Sequence, residues 1–382
     1  MRSDQIRKRA ANRAAILTTL HYDGPQQRSS LASACEVRKA SVTSIVASLL
    51  EEDLVDEVEP GRYRSAVRLR TKSNLALVAS ISPREIVASC LDLAGETVCI
   101  ATRPVAADAG PDTILATLAA EFAAMQATVD GAVLGLGVSV PGITDPGTGV
   151  GSYAANLPGW RDVPVAAYLS DRFDLPIAVD NDVRCQLRAH IWFASSPQEV
   201  DSVLYVLVND GVACAFAQHG IVSPGAYFAG GEIGHIRAGD RHRPCACGRE
   251  DCLETYCSVP AILAEVRPLC PAPAPATATD LAAVAAKSPA VGNVLDRAAG
   301  YLAHGIAGVI AALDPAVLVI GAADHAFAEC LCPLLHTRLD QELMGLAVSG
   351  LRLIAAGDAE RESRRGIAAT VIQNSFNNTA EP

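Results

Sequence analysis

Gly230-Gly231-Glu232-Ile233-Gly234-His235, followed by Cys245-Ala246-Cys247-Gly248-Arg249-Glu250-Asp251-Cys252-Leu253-Glu254, is the stretch from which the rest of the chain can be read. Cysteines at Cys-x-Cys-x4-Cys spacing are compact enough to wrap a single ion. Three thiolates with one imidazole suit a closed, tetrahedral, structural zinc site. The spacing alone leaves the fourth ligand open, and three unligated cysteines in an alanine-rich chain would fit it too. Cys90, Cys99, Cys185 and Cys214 sit singly in apolar runs, where a thiol acts as a small hydrophobe. A reducing compartment with one metal site therefore explains the 12 cysteines better than a disulfide scaffold does.

Outward from that stretch the pattern is α/β. Ile86 to Leu93 and Thr97 to Thr102 flank a hairpin turn at Ala94-Gly95-Glu96, and Ala132 to Val140, Ile177 to Val179, Val203 to Val208 and Val317 to Ile320 read as buried strands separated by helices. No internal repeat is visible. Pro268 to Thr279 reads as a surface excursion. The chain of 382 residues, 50% of them apolar, is long enough for more than one domain. Its longest apolar stretch, about Gly305 to Ala323, is broken by Asp314-Pro315, which a membrane helix rarely places at its centre. The basic amino terminus is not followed directly by an apolar core of signal-peptide length. The expectation is a soluble, cytoplasmic protein.

Charge separates a head from a body. Residues 1–72 carry 13 Lys/Arg against 9 Asp/Glu, although the whole chain is at −11. A basic head on an acidic body is what one phosphate-facing domain would produce. Within the head, Asn12 to Leu20 has Ile16, Leu17 and Leu20 on one side, Ser29-Ser30 caps a second helix, and Lys39 to Glu52 buries Val42, Ile45, Val46, Leu49 and Leu50. The opposite face of that third helix shows Lys39, Ala40, Thr43, Ser44 and Ala47. Strands at Leu54 to Val58 and Ser65 to Leu69 follow, joined by the basic turn Pro60 to Arg64. This is a winged helix-turn-helix pattern, with Arg38, Lys39, Thr43 and Ser44 facing the major groove of double-stranded DNA and Arg62 and Arg64 in the wing. A bundle for protein contacts is the bland alternative. The acidic run Glu51 to Asp53, Asp56, Glu57 and Glu59 must face away from DNA if the reading holds.

With these segments in hand the chain resembles the ROK family (repressor, open reading frame, kinase) over essentially its whole length. The carriers are Gly230 to His235 with Cys245 to Glu254, Val140-Pro141-Gly142, Asn156-Leu157-Pro158-Gly159-Trp160 and Asn181-Asp182, while the head resembles the winged helix of the family's xylose and N-acetylglucosamine repressors. The resemblance implies a winged helix-turn-helix at 1–72. It also implies a two-lobed actin/hexokinase-like (ribonuclease H-like) domain at 73–382, with the zinc site within 230–257. It further implies sugar contacts from Gly142, Asn156, Asn181, Asp182, Glu232, His235 and Glu254, and zinc held by His235, Cys245, Cys247 and Cys252. His235 would then face zinc with one nitrogen and sugar with the other.

The chain departs from the family's kinases where they hold nucleotide. An Asp-x-Gly-Gly-Thr turn is expected near residues 80–84, and Ser80-Ile81-Ser82-Pro83-Arg84 stands there. Pro83 also removes a backbone donor. The second phosphate loop reads Val208-Asn209-Asp210-Gly211-Val212-Ala213, and the late Gly-Gly is reduced to Gly321-Ala322-Ala323. These changes imply sensing without phosphorylation: a sugar-responsive regulator, expected to be a repressor and a homodimer or homotetramer, with no membrane partner. An active sugar kinase, or a regulator controlled by a protein partner, are the competing readings.

Overall fold

Every residue of Asn74–Ile81 is buried, as a strand covered on both faces should be. The computed structural model describes residues 2–62, 65–194, 201–271, 273–344 and 349–377, and in it this strand is the centre of a five-stranded sheet. Glu85–Asp92 and then Thr97–Pro104 lie antiparallel on one side, with Ala132–Val140 and then Ile177–Asn181 parallel on the other. A second five-stranded sheet repeats the plan. Ser202–Val208 is its centre, Val212–Gln218 and Ile221–Val222 are antiparallel, and Val317–Gly321 and Arg352–Ala356 are parallel. The body is thus a structural duplication, one sheet per lobe, in the expected actin/hexokinase-like arrangement. The sequence hides it because the copies share hydrogen-bonding order and burial rather than residue identity. A small sheet of Ile143–Asp145, Val150–Tyr153 and Arg161–Val163 was not foreseen at all.

Two helices lie between the sheets. Asp182–Trp192 follows directly from the strand Ile177–Asn181, and Ala359–Asn377 packs along it. The approach is backbone to backbone: a Cβ on Gly366 would fall on the carbonyl oxygen of Cys185. In the second lobe the long helix Pro289–Leu313 ends where Asp314 turns left-handed at φ 46°, before Pro315. No helix among the described residues is long and apolar enough to cross a membrane. Cys90 and Cys99 are not solitary, since they face each other across adjacent strands.

The head follows the expected helical order with two corrections. Its first helix runs Arg2–Asp23, well beyond Asn12 to Leu20, because the added Arg/Lys/Ala/Gln residues favour helix without leaving an apolar stripe to read. The second helix, Arg28–Ala34, starts before Ser29-Ser30, so neither serine caps it. Gln26–Gln27 pairs with Ala66–Val67, and that pairing fixes the boundary. The third helix, Lys39–Glu51, buries Val42, Ile45, Val46 and Leu49 as its spacing requires, with Leu50 only half-buried. Val55–Glu57 and Ala66–Leu69 supply the two later strands. The head's buried cluster is completed by body residues Leu93, Trp192, Ala369, Ile372 and Phe376.

Gly366→Ala sets the helix propensity of alanine, about 1 kcal/mol better, against a backbone collision costing about 3 kcal/mol. The collision wins, so denaturant titration should show net destabilisation of roughly 2 kcal/mol. A neutral or stabilised variant would mean the two helices separate easily.

Candidate functional site

The strand Ile177–Asn181 delivers its last residue to the cleft between the lobes, and what Asn181 does there is more structural than expected. Its Oδ1 accepts from the backbone amides of Val183 and Arg184, both at 3.0 Å, capping the helix. Its Nδ2 donates to the carbonyl of Gly142 at 2.8 Å and to Asp182 Oδ1 at 2.9 Å. Those bonds use both amide hydrogens and both lone pairs. Asn181 lines the cleft but positions Asp182 rather than offering a spare group. Gly142, at φ +79°, has no room for a Cβ against the carbonyl of Tyr153.

Beneath this junction sits Arg184, which sequence reasoning missed. Its buried guanidinium donates to Asp180 Oδ1 at 2.7 Å, to the carbonyl of Thr144 at 2.6 Å and to that of Phe228 at 3.0 Å. The available signal was the Asp180/Arg184 spacing of one helical turn. Asp182 accepts from the Val183 amide at 2.9 Å and opens onto the cleft. Burial raises its carboxyl to about 7, and the charge of Glu232 adds to the rise. Burial also raises Glu232, although His235 opposes this.

One cavity of about 910 Å³ is lined by all seven residues proposed from the sequence, Gly142, Asn156, Asn181, Asp182, Glu232, His235 and Glu254. They come from both lobes. Among the other lining residues, the guanidinium of Arg84 forms an ion pair with Asp210, in the turn between Ser202–Val208 and Val212–Gln218, so the two charges are spent on each other.

The cysteine cluster abuts the same cavity. His235, Cys245, Cys247 and Cys252 offer ligand atoms that all lie within 4.8 Å of one another. His235 Nδ1 is 3.5 Å from Cys245 Sγ, and Cys247 Sγ is 3.6 Å from Cys252 Sγ. The edge of a tetrahedron with metal–sulfur bonds of about 2.3 Å is about 3.8 Å, so the donor set fits a zinc ion. Burial opposes ionisation of Cys247, yet hydrogen bonds from Arg249 hold its thiol down to about 6. His235 Nδ1 lies near Cys245 Sγ and 3.7 Å from Glu254 Oε1, and Nε2 faces Glu232 Oε2 at 3.9 Å.

In the head, Arg38, Lys39, Thr43 and Ser44 are exposed together along one side of the third helix. Arg9 joins them at 3.5 Å from Ser44 Oγ, a neighbour visible only once the first helix is seen to extend to Arg2. Most carboxylates of the acidic run are paired within the head. Glu52 pairs with Arg13, Asp53 with Arg70, Asp56 with Arg68, and Glu57 with Arg28. Arg62 is itself engaged by Glu59 at 2.6 Å, and Arg64 lies outside the described residues.

The family profile described as the ROK family matches residues 83–374. A putative xylose repressor of Caldicellulosiruptor sp. (strain Rt8B.4) is 27% identical over 269 residues, covering 68% of this chain and 66% of that protein. A glucokinase of Halalkalibacterium halodurans is 30% identical over 203 residues, covering 50% of this chain and 61% of the relative. The chain thus spans less than two thirds of either relative's own length. A solved ROK family transcriptional regulator, a homologue of the E. coli Mlc protein, superposes with a TM-score of 0.85 at 21% identity, covering 97% of this chain and 98% of that one. At that identity the likeness is one of fold.

Asp182 makes the cleft costly to keep charged. Below about pH 3 the carboxyl holds its proton both folded and unfolded, so it contributes no penalty. As pH rises to 7 the unfolded chain ionises first and stability falls; above 7 the penalty is complete. Asp182→Asn, which keeps the Oδ1 acceptor, should therefore stabilise the protein by about 2–4 kcal/mol at alkaline pH and by almost nothing at about pH 3. Urea titrations at the two pH values measure this. An equal effect at both would show that the carboxyl is not strained.

Proposed function

Because the chain belongs to the ROK family, we propose that it is a sugar-responsive, DNA-binding transcription regulator, a repressor of carbohydrate-metabolism genes, that binds its sugar without phosphorylating it. The head at 1–72 reads double-stranded DNA and the body at 73–382 senses. The observation that carries this reading is the contrast within a single cavity. Five side chains with hydrogen-bonding capacity to spare converge on it from both lobes, while an Arg84–Asp210 ion pair occupies the turns that the resemblance assigns to a kinase's phosphate loops. The name of the Caldicellulosiruptor relative, a putative xylose repressor, agrees with it.

Asn156, Asp182, Glu232, His235 and Glu254 are the groups with capacity to exchange hydrogen bonds with sugar hydroxyls, and a pocket of buried polar groups rejects ligands that leave them unpaired. Contacts from both lobes favour the closed arrangement when sugar is bound. His235, Cys245, Cys247 and Cys252 would hold zinc. The ion supplies a fixed cross-link that neutralises thiolate charge, while His235 Nδ1 faces it and Nε2 stays on the sugar side. In the head, Arg38, Lys39, Thr43 and Ser44 face the major groove, and Arg62 and Arg64 mark the wing. A symmetric homodimer, or a homotetramer built from dimers, would present paired heads to paired half-sites in the cytoplasm. Two observations support the kinase reading: Asp182 has the position and raised carboxyl of a general base, and a glucokinase is among the relatives.

A duplex selected from a randomised pool by the sugar-free protein, titrated with D-xylose, D-glucose and N-acetylglucosamine, decides between them. At least one sugar should change duplex affinity, and none should be phosphorylated with MgATP. Asp182→Asn should weaken that sugar's binding by about 2 kcal/mol, roughly thirtyfold. Turnover of MgATP would overturn the regulator reading in favour of the kinase.

Elemental analysis should find stoichiometric zinc. Cys252→Ser should lose the metal and lower the melting temperature. Chelator-treated protein that melts like the untreated sample would remove zinc from the account.

A further inference from the structure

The joint between the head and the two interlobe helices has a construction that neither sugar recognition nor DNA reading requires. His21, near the end of the first helix, lies flat on the indole of Trp192, with centroids 4.3 Å apart and planes 16° from parallel. Its Nε2 is 2.9 Å from the Trp192 carbonyl oxygen. Burial holds the imidazole below its ordinary pKa, so the ring is neutral and donates Nε2–H to that carbonyl. Tyr22 meets the same indole edge-on at 5.7 Å, and Phe376 lies 6.1 Å from it. Arg365 covers the neighbouring Phe193 at 4.3 Å.

Trp192 is the last residue of the 11-residue helix that Asp182 begins. One end of this rod, about 16 Å long, is therefore the floor of the cleft, and the other is the seat of the head. A continuous hydrogen-bonded helix passes a shift of its first turn to its last, which a loop of the same length would absorb. The first turn is fixed to both lobes: Asn181 ties it to Gly142, and Arg184 ties it to Thr144 and to Phe228. At the far end a cavity of about 470 Å³, lined by His21, Trp192, Phe193 and Arg365 among others, leaves space beside the stack. The buried indole Nε1 has no hydrogen-bond partner among the described residues. Packing rather than a directional side-chain bond therefore sets the position of the ring.

We propose that the His21–Trp192 stack is the coupling element through which an occupied cleft alters the DNA-facing head, with the helix Asp182–Trp192 as the connecting rod. The proposal rests on the regulator reading above and names the residues that would make it work. His21 and Trp192 are positioning residues, touching neither sugar nor DNA. The signal travels as a displacement of packed side chains with two arrangements, one favoured by the closed cleft.

Two measurements on the full chain test it. First, a sugar that binds the wild type calorimetrically, from D-xylose, D-glucose and N-acetylglucosamine, should change affinity for the selected duplex by roughly tenfold. His21→Ala should keep sugar affinity and sugar-free duplex affinity within about twofold while compressing that response below about twofold. Second, protein labelled with 5-fluorotryptophan gives two fluorine signals, from Trp160 and Trp192, assigned with Trp192→Phe. Saturating sugar should shift the Trp192 signal. This second measurement holds even if His21→Ala folds poorly. An unmoved Trp192 signal, or a full response from His21→Ala, overturns the coupling and leaves sugar recognition intact. A wild type that gives no binding heat with any of the three sugars overturns the regulator reading, and the coupling with it.

Discussion

The amide of Asn181 makes four hydrogen bonds at the point where a strand of the first sheet turns into the interlobe helix. Two of them replace helical partners that the first turn lacks, one grips the loop after Ala132–Val140, and one holds Asp182 toward the cleft. Arg184 locks the underside, buried with Asp180 in an ion pair that only its further carbonyl bonds make tolerable. Everything downstream takes its position from this junction: the carboxyl at the cleft floor, the course of the helix and the seat of the head.

The cleft is electrostatically expensive. Asp182 and Glu232 lie close enough to repel, and burial makes both carboxyls resist ionisation. Such a site is held ready by its surroundings rather than relaxed, as groups meant to bond hydroxyls must be. Arg84 and Asp210, which also line the cleft, satisfy each other's charge.

What could be read without coordinates followed physical strength of signal. The Cys245-x-Cys247-x4-Cys252 spacing is dense and local, and the structure brings those residues to His235. The stripe Val42, Ile45, Val46 and Leu49 obeys helical periodicity and is buried as expected. Less visible were features that depend on distant partners. The duplication of the sheets leaves no residue-level trace. The first helix was cut short because its early residues are polar all round. Asn181 was read as a ligand group because nothing in the sequence shows that its amide is already saturated. Arg184 gave no signal because its three acceptors come from separate parts of the chain.

On the proposed DNA-binding role, the internal pairing of the head also bears on how its affinity would respond to ionic strength. Arg13, Arg28, Arg62, Arg68 and Arg70 are each matched by a carboxylate of the same small unit. They are poorly placed to displace cations condensed on a nucleic-acid backbone, leaving Arg7, Lys8, Arg9, Arg38 and Lys39 as the chief candidates. Each phosphate neutralised contributes about −0.9 to the slope of log affinity against log salt. A head that binds DNA in this way would depend less on bulk electrolyte than its count of basic residues suggests, and would lean more on groove fit to tell one duplex from another.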